Sequence, residues 1–473
     1  MTDTLLVEHV PGKPHLLLGA FDIGSVGYVA EEFFVSGTAS SFTSATQLSP
    51  DGRWNVTPSG TAEYTTRIVV LTPADRSQFN GTVLVEWLNV SGGIDAPAVW
   101  MMAHREIVRA GYAYVAVSAQ RVGVQGGASM LGADMSLKNQ NPARYAPLSH
   151  PGDAFAYDIF SQVGRLINNA ERNTILSELS VRHVVAVGES QSAMFLTTYV
   201  NAVDPLARVY DGFLVHSRFG PAAPLDGVSI FEDPQTNMPQ AIPFRADLRV
   251  PLVSVITETD LVGGVRHGYY FARQPDHERL RVWEIPGTAH ADNYTIQVAP
   301  IDTGSAPLED IVAAYAPTNN LMGQHLGHFI NFAPQHHYVL QAAVAALDNW
   351  VRTGEPVPTG PPIEVRETDA PQLILDSNGI AHGGVRTPWV DVPTARTSGA
   401  GAGAGADESV MSMLFGSGEP FDAATLTRLY PGGRTEYLER FTAALDTAVQ
   451  SGFILRADRA EILQLAAATY PGA

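Results

Sequence analysis

The chain has no cysteine, and its only lysines in 473 residues are Lys13 and Lys138. The missing cysteine removes disulfides, thiolate metal sites and cysteine nucleophiles together. Charge is scarce and one-sided: 16% of residues are charged, and 48 acidic against 29 basic side chains leave −19 at pH 7. Nothing in that balance offsets repulsion from a phosphate backbone, so nucleic acid is not an expected partner. No apolar run reaches membrane-spanning length. Met1-Thr2-Asp3-Thr4 lacks the basic and apolar regions of a signal peptide, so a cytoplasmic protein without a membrane partner is expected. Core material is plentiful, with 45% hydrophobic residues, while Gly 43 and Pro 32 imply many turns and long loops. This is the composition of a globular chain, of a length that one α/β unit reaches when it carries insertions.

Hydrophobic patterning sets out the elements. Residues 27–36 and 63–72 read as strands in an antiparallel start. Residues 82–90 read as a buried strand ending in Ser91-Gly92-Gly93, and 97–110 as a helix stopped by Gly111. Further buried strands follow at 112–118, 184–187, 210–216, 251–257 and 280–285, with a helix at 153–168. Alternating helices and near-continuous apolar strands predict an α/β fold, a mostly parallel central sheet flanked by helices on both faces. Residues 1–360 are expected to form this core, with irregular insertions at about 119–152, 219–248 and 291–335, the later two as lids. An amphipathic helix is predicted over 338–351, stopped by Gly354 and Pro356. Residues 361–473 read as a C-terminal extension packed on the core. It has strand-like pieces near 372–375 and 384–385, a low-complexity flexible loop at about 397–408, and helices from 420. In the last of these, Leu438, Phe441, Leu445 and Val449 share a face, and Asp458 with Glu461 forms a capping pair.

One stretch carries chemistry. Val184-Val185-Ala186-Val187 runs into Gly188-Glu189-Ser190-Gln191-Ser192 and then an apolar helical segment. G-x-S-x-S between a strand and a helix is the pattern of a nucleophile elbow, with Ser190 at the sharp turn and small residues two positions either side. Glycine and serine also punctuate ordinary strand–helix loops, so the pattern needs partners. Ser192 is the poorer candidate, because Met194 falls at its crowded plus-two position.

A serine hydroxyl needs a positioned base, itself oriented by a carboxylate. The strand ending at Thr257 opens into Glu258-Thr259-Asp260, and the strand ending at Ile285 opens into a loop bearing His290. Ser190, Asp260 and His290 thus follow the Ser…Asp/Glu…His order of an α/β-hydrolase fold, each just past the carboxyl end of a strand. Asp260 is preferred as the acid, three residues beyond the strand where the loop has turned back, with Glu258 the alternative. The backbone N–H of Gln191 is expected to face a developing oxyanion, with a second donor from the Asn89, Val90 and Ser91 loop. Arg121, His216 and Arg218 lie at strand ends and are candidates to line a pocket, though each could equally hydrogen-bond a loop. His325, His328, His336 and His337 lack a carboxylate at helical spacing and are expected to pack beneath a lid rather than bind metal.

These blocks resemble those of the bacterial family of alpha/beta hydrolase domain-containing proteins. The resemblance runs nearly full length through Asn80-Gly-Thr-Val-Leu-Val-Glu-Trp-Leu-Asn-Val-Ser-Gly-Gly93, Leu148-Ser-His-Pro-Gly-Asp153, Gly188-Glu-Ser-Gln-Ser-Ala193 and Asp211-Gly-Phe-Leu-Val-His-Ser-Arg218. It implies an α/β-hydrolase fold and ester hydrolysis, with Ser190 and His290 in the nucleophile and base positions, and leaves Glu258 and Asp260 undecided. The expectation is a serine esterase acting on a small-molecule ester through an acyl-enzyme, without cofactor. Lactone or amide cleavage, acyl transfer, and ligand binding without catalysis on the same fold stand as alternatives.

Overall fold

Runs of β-branched and aromatic residues become strands wherever both faces can be covered. The computed structural model describes residues 5–169, 175–176, 178–232, 241–264, 266–368, 371–399 and 409–471. These form a nine-stranded sheet: β1 Leu6–Val10, β2 Tyr28–Thr43, β3 Thr57–Pro73, β4 Thr82–Trp87, β5 Ala113–Val117, β6 His183–Glu189, β7 Gly212–His216, β8 Leu252–Thr257 and β9 Leu280–Ile285. Their spatial order is β1-β2-β3-β5-β4-β6-β7-β8-β9. From β5 to β9 every neighbour is parallel. β1, β2 and β3 pair antiparallel with one another, and β3 joins β5 antiparallel.

Every residue of β4, β5, β7 and β8 is buried, which explains their unbroken apolar sequences. Alternate side chains serve two cores. Leu84, Val185, Val187, Leu214, Val253 and Val255 face helices α1 (Ala98–Arg109) and α5 (Gln335–Thr353). Val83, Val85, Val184, Ala186, Phe213 and Val215 face α2 (Ala156–Asn168) and α3 (Gln191–Thr198). Each such valine, leucine or phenylalanine, fully buried, contributes roughly 1.5–3 kcal/mol of hydrophobic stabilisation. The C-terminal helices α6 (Gly433–Gln450) and α7 (Arg459–Thr469) bury Phe441, Leu445, Ile462 and Leu465 in the first of these cores. No helix among the described residues is long and apolar enough to cross a membrane.

The structure departs from the sequence reading in several places. β1 is an edge strand with mostly exposed side chains, so it lacks the alternation that would reveal it. The strand expected over 82–90 ends at Trp87, because Asn89 pairs with Ala96 across a turn. Two of the three insertions expected to be irregular hold helices, the first at Arg121–Gln125 and Leu137–Gln140 and the third at Leu308–Ala314. Thr397 and Ser398 belong not to a loop but to strand Ala395–Ser398, paired with Ser417–Pro420. Residues 400–408 of that expected loop, and 233–240 of the first lid, lie outside the described residues. No strand forms at 384–385, where Gly384 has a φ of 73°. Asp458 and Glu461 are not a capping pair. Asp458 pairs with Arg109, while Glu461 takes Arg105 and the Tyr338 hydroxyl, tying α7 to α1 and α5.

Candidate active site

β6 ends at Glu189 and α3 begins at Gln191, so Ser190 must turn the chain alone, at φ 59° and ψ −115°. Such a conformation costs a non-glycine residue on the order of 1–3 kcal/mol and survives only where its surroundings enforce it. They do so here. Ser190 N–H donates to the His216 carbonyl at 3.0 Å. The Ser192 hydroxyl donates to the Glu189 carbonyl at 2.8 Å and accepts the Glu189 N–H at 3.1 Å. A Cβ on Gly188 would lie 2.9 Å from Leu196 Cδ1, which explains the glycine two residues before the turn. Ser192 is therefore occupied in holding the elbow.

The acid is placed by a helix start. Thr257 caps α4 (Glu258–Val262), and its N–H and hydroxyl both donate to Asp260 Oδ2, at 2.9 and 2.7 Å. Oδ1 is thereby left for His290, whose Nδ1 lies 2.6 Å away. His290 Nε2 is 2.8 Å from Ser190 Oγ. An ionised carboxylate only accepts, so the proton of a neutral imidazole sits on Nδ1, and Nε2 is free to accept the serine hydroxyl. The ring is steadied by stacking on Phe219, centroids 5.2 Å apart, and by a 3.2 Å bond from its main-chain N–H to Thr259 Oγ1. Glu258 points elsewhere: it accepts from Gly287 N–H at 2.6 Å, Gly399 N–H at 2.8 Å and the Ser398 hydroxyl at 2.9 Å. It thus ties the loop before His290 to the C-terminal segment.

Electrostatics favour a proton on this cluster. Burial pulls the His290 pKa down, but the charge and hydrogen bond of Asp260, with the charge of Glu189, outweigh it and leave the value raised. Burial pushes Glu189 up to about 7, against the opposing pull of His290.

The N–H groups expected around an oxyanion are unequally available. Asn89 N–H donates to Ala96 O at 3.0 Å, and Ser91 N–H to Asn89 Oδ1 at 2.8 Å. Val90 N–H makes a longer bond, 3.3 Å, to the side-chain oxygen of Gln191. The Gln191 amide in turn donates to Gln120 Oε1, which also accepts from Trp87 Nε1. Gln191 N–H heads α3, where the first turn leaves donors without intrahelical acceptors.

The expected pocket residues go elsewhere. Arg218 is fully buried, bonded to the carbonyls of Phe219, Gly220 and Ile242 and set over the Phe244 and Tyr269 rings. Burial pushes its pKa down to about 10, and it serves the loop rather than a ligand. His216 is buried against His336, Nε2 to Nε2 2.8 Å. Arg121 is exposed, with its main-chain N–H on Asp153.

The four other histidines do not converge. His325 is exposed on a hairpin, and His328 reaches Ser412 Oγ at 3.4 Å. His336 and His337 are buried in α5 rather than under a lid, His337 against the Tyr315 hydroxyl and Gln341. Among the described residues no cluster of three or more ligating side chains could hold a metal ion. Sequence reading passed over Glu189, Phe219 and the bonding of the Gln191 side chain to Gln120, a residue noted only for its strand-end position. For Glu189 a signal existed: a carboxylate closing an apolar, almost wholly buried strand is a costly choice.

A family model described as alpha/beta hydrolase domain matches residues 7–464. No curated protein sequence matches the chain. Among solved structures, a putative dienelactone hydrolase from Klebsiella pneumoniae subsp. pneumoniae MGH 78578 is 11% identical, covering 60% of this chain and 95% of its own, with a TM-score of 0.30. A glucuronoyl esterase from Solibacter usitatus is 12% identical over 59% of this chain and 80% of its own, with a TM-score of 0.29. An a/b serine hydrolase without lid from Xanthomonas campestris is 13% identical over 51% and 86%, with a TM-score of 0.31.

Proposed function

The chain belongs to the alpha/beta hydrolase domain family, and we propose that it is a serine hydrolase cleaving carboxylic esters through an acyl-enzyme. The observation that carries the reading is the continuous chain of two bonds, 2.8 Å from Ser190 Oγ to His290 Nε2 and 2.6 Å from His290 Nδ1 to Asp260.

Ser190 Oγ forms a bond to the ester carbonyl carbon as its proton passes to His290 Nε2. Asp260 holds the imidazole in the required tautomer and stabilises the imidazolium. The carbonyl oxygen becomes an oxyanion facing the N–H groups of Gln191 and Val90. The Gln191 side-chain oxygen, 3.3 Å from Val90 N–H, marks the place that the ester carbonyl oxygen would take. Each such donor is worth roughly 3 kcal/mol of transition-state stabilisation. The carbon–oxygen bond to the alcohol then breaks, and Nε2 returns the proton to the leaving oxygen. Water repeats the sequence on the acyl-enzyme, giving the acid and restoring Ser190. A buried apolar cluster of Phe219, Leu326, Ile330, Leu414 and Phe415 includes the ring stacked on His290, which suits a substrate with an apolar group beside the base.

Short-chain p-nitrophenyl acetate and butyrate test the reading. Wild type should release nitrophenol and the Ser190→Ala variant should not. Equal rates from both, or an inert wild type across acetyl to octanoyl esters, would sink it.

A further inference from the structure

His290 has a second acidic neighbour that the mechanism above does not use. Glu189 is 9% exposed, and its Oε1 lies 3.6 Å from His290 Nε2, the nitrogen already bonded to Ser190 Oγ. Its Oε2 accepts a 3.4 Å bond from Asn89 Nδ2. We infer that Glu189 is a positioning residue for His290, its carboxylate facing Nε2 as Asp260 faces Nδ1, so that two acidic side chains govern the proton the imidazole carries. For its catalytic meaning this rests on the ester-hydrolase reading.

The surroundings support it from every side. β4 contributes Glu86 and, just beyond its end, Asn89; β7 contributes His216, the register partner of Glu189. Asp260 stands beyond β8, His290 beyond β9, and His336 comes from α5. Among the described residues no arginine or lysine is bonded to Glu189 or Asp260. The positive charge that the cluster can supply comes from imidazole. A carboxylate buried without a permanent cation costs several kcal/mol, and a glutamine would accept the Asn89 amide equally well without that cost. What only the carboxylate offers is attraction to an imidazolium. When Nε2 takes the serine proton, a positive ring lies between two negative groups in a site screened from water, and the charge-separated state is favoured. Ionisation of Glu189 therefore strengthens His290 as a base, and its protonation weakens it.

The test is an NMR titration of isotope-labelled histidine in wild type, Glu189→Gln and Glu189→Asp, beside the pH dependence of p-nitrophenyl ester hydrolysis. The His290 titration should fall by roughly one unit or more in Glu189→Gln and by less in Glu189→Asp, which keeps the charge on a shorter stem. The acid limb of kcat/KM should move to lower pH with it, and the alkaline plateau should drop about tenfold, the equivalent of one pKa unit. A glutamate with a merely structural role would change the melting temperature and leave both profiles in place. A His290 titration unmoved in Glu189→Gln overturns the inference, and if that variant does not fold, an unmoved titration in the neutral Glu189→Ala does so in its place. The titration reads the imidazole whether or not an ester is turned over. Absent hydrolysis would therefore count against the proposed reaction and not against this pairing.

Discussion

Two buried charge clusters sit on the same sheet and are built on opposite principles. On the antiparallel side, Arg67 donates to Asp95 at 2.7 Å, to the Ser118 hydroxyl at 2.9 Å and to the His15 carbonyl at 2.9 Å, with Glu32 at 3.5 Å. Glu32 is shared with Arg144 and the Tyr145 hydroxyl. Two guanidinium groups meet two carboxylates, so the charges cancel. At the carboxyl ends of the parallel strands, Asp260 and Glu189 flank one imidazole, and a third carboxyl, Glu86, lies in the strand beside them. There charge balance is reached only by holding a proton. A balanced cluster stabilises a fold, whereas an unbalanced one has a proton to exchange, and the strained Ser190 stands next to the unbalanced one.

Substitutions in each cluster sharpen that contrast. Removing the nucleophile should have the largest effect: Ser190→Ala is expected to lower kcat about 10⁶-fold while the melting temperature stays close to wild type. Asp260→Asn should lower kcat about 10⁴-fold by admitting the wrong imidazole tautomer, and stopped-flow nitrophenol release measures it. Arg67→Met should do the reverse. It strands buried carboxylates at a cost of about 3–5 kcal/mol, seen as a lower denaturation midpoint, while kcat of the folded fraction is retained. Glu258→Gln tests two carboxylates only two residues apart, because Glu258 holds main-chain N–H groups rather than the base. It should cost about 1–3 kcal/mol of stability and far less activity than Asp260→Asn; the opposite ranking would dismantle the assignment.

The smallest effect is on the pH dependence of stability. Burial raises Glu86 to about 8, so the folded protein keeps a proton that the unfolded chain loses above the ordinary carboxyl range, and stability declines as pH rises toward 8. Burial holds His216 and His337 well below their ordinary value. The unfolded chain therefore binds extra protons below about 6.5, and stability declines as pH falls through that range. Thermal midpoints should peak at mildly acidic pH, and Glu86→Gln should flatten the alkaline decline.

Much of this is legible in the sequence. The parallel half of the sheet declares itself because burial on both faces removes polar interruptions, as in Thr82–Trp87 and Leu252–Thr257. Order along the chain then puts Ser190, Asp260 and His290 past the ends of β6, β8 and β9, and the structure brings their side chains into one bonded chain. What sequence could not supply was tertiary. Glu258 and Asp260 look alike until the Thr257 cap turns one toward His290 and Gly399 claims the other. Asp458 and Glu461 have the spacing of a cap, but arginines on α1 outcompete the helix N–H groups for them. Arg218 and His216 sit at a strand end, yet Arg218 turns back onto the carbonyls of Phe219 and Gly220 and reaches Ile242, while His216 meets His336, far off in the chain.

Whether Ser190 is the nucleophile is tested most directly by mass spectrometry of the enzyme treated with a fluorophosphonate probe, which phosphonylates an activated serine hydroxyl with loss of fluoride. The expected result is one adduct, mapped by peptide sequencing to Ser190, absent from Ser190→Ala and strongly slowed in His290→Ala. An adduct on Ser192, or no adduct on folded wild-type protein, would contradict it.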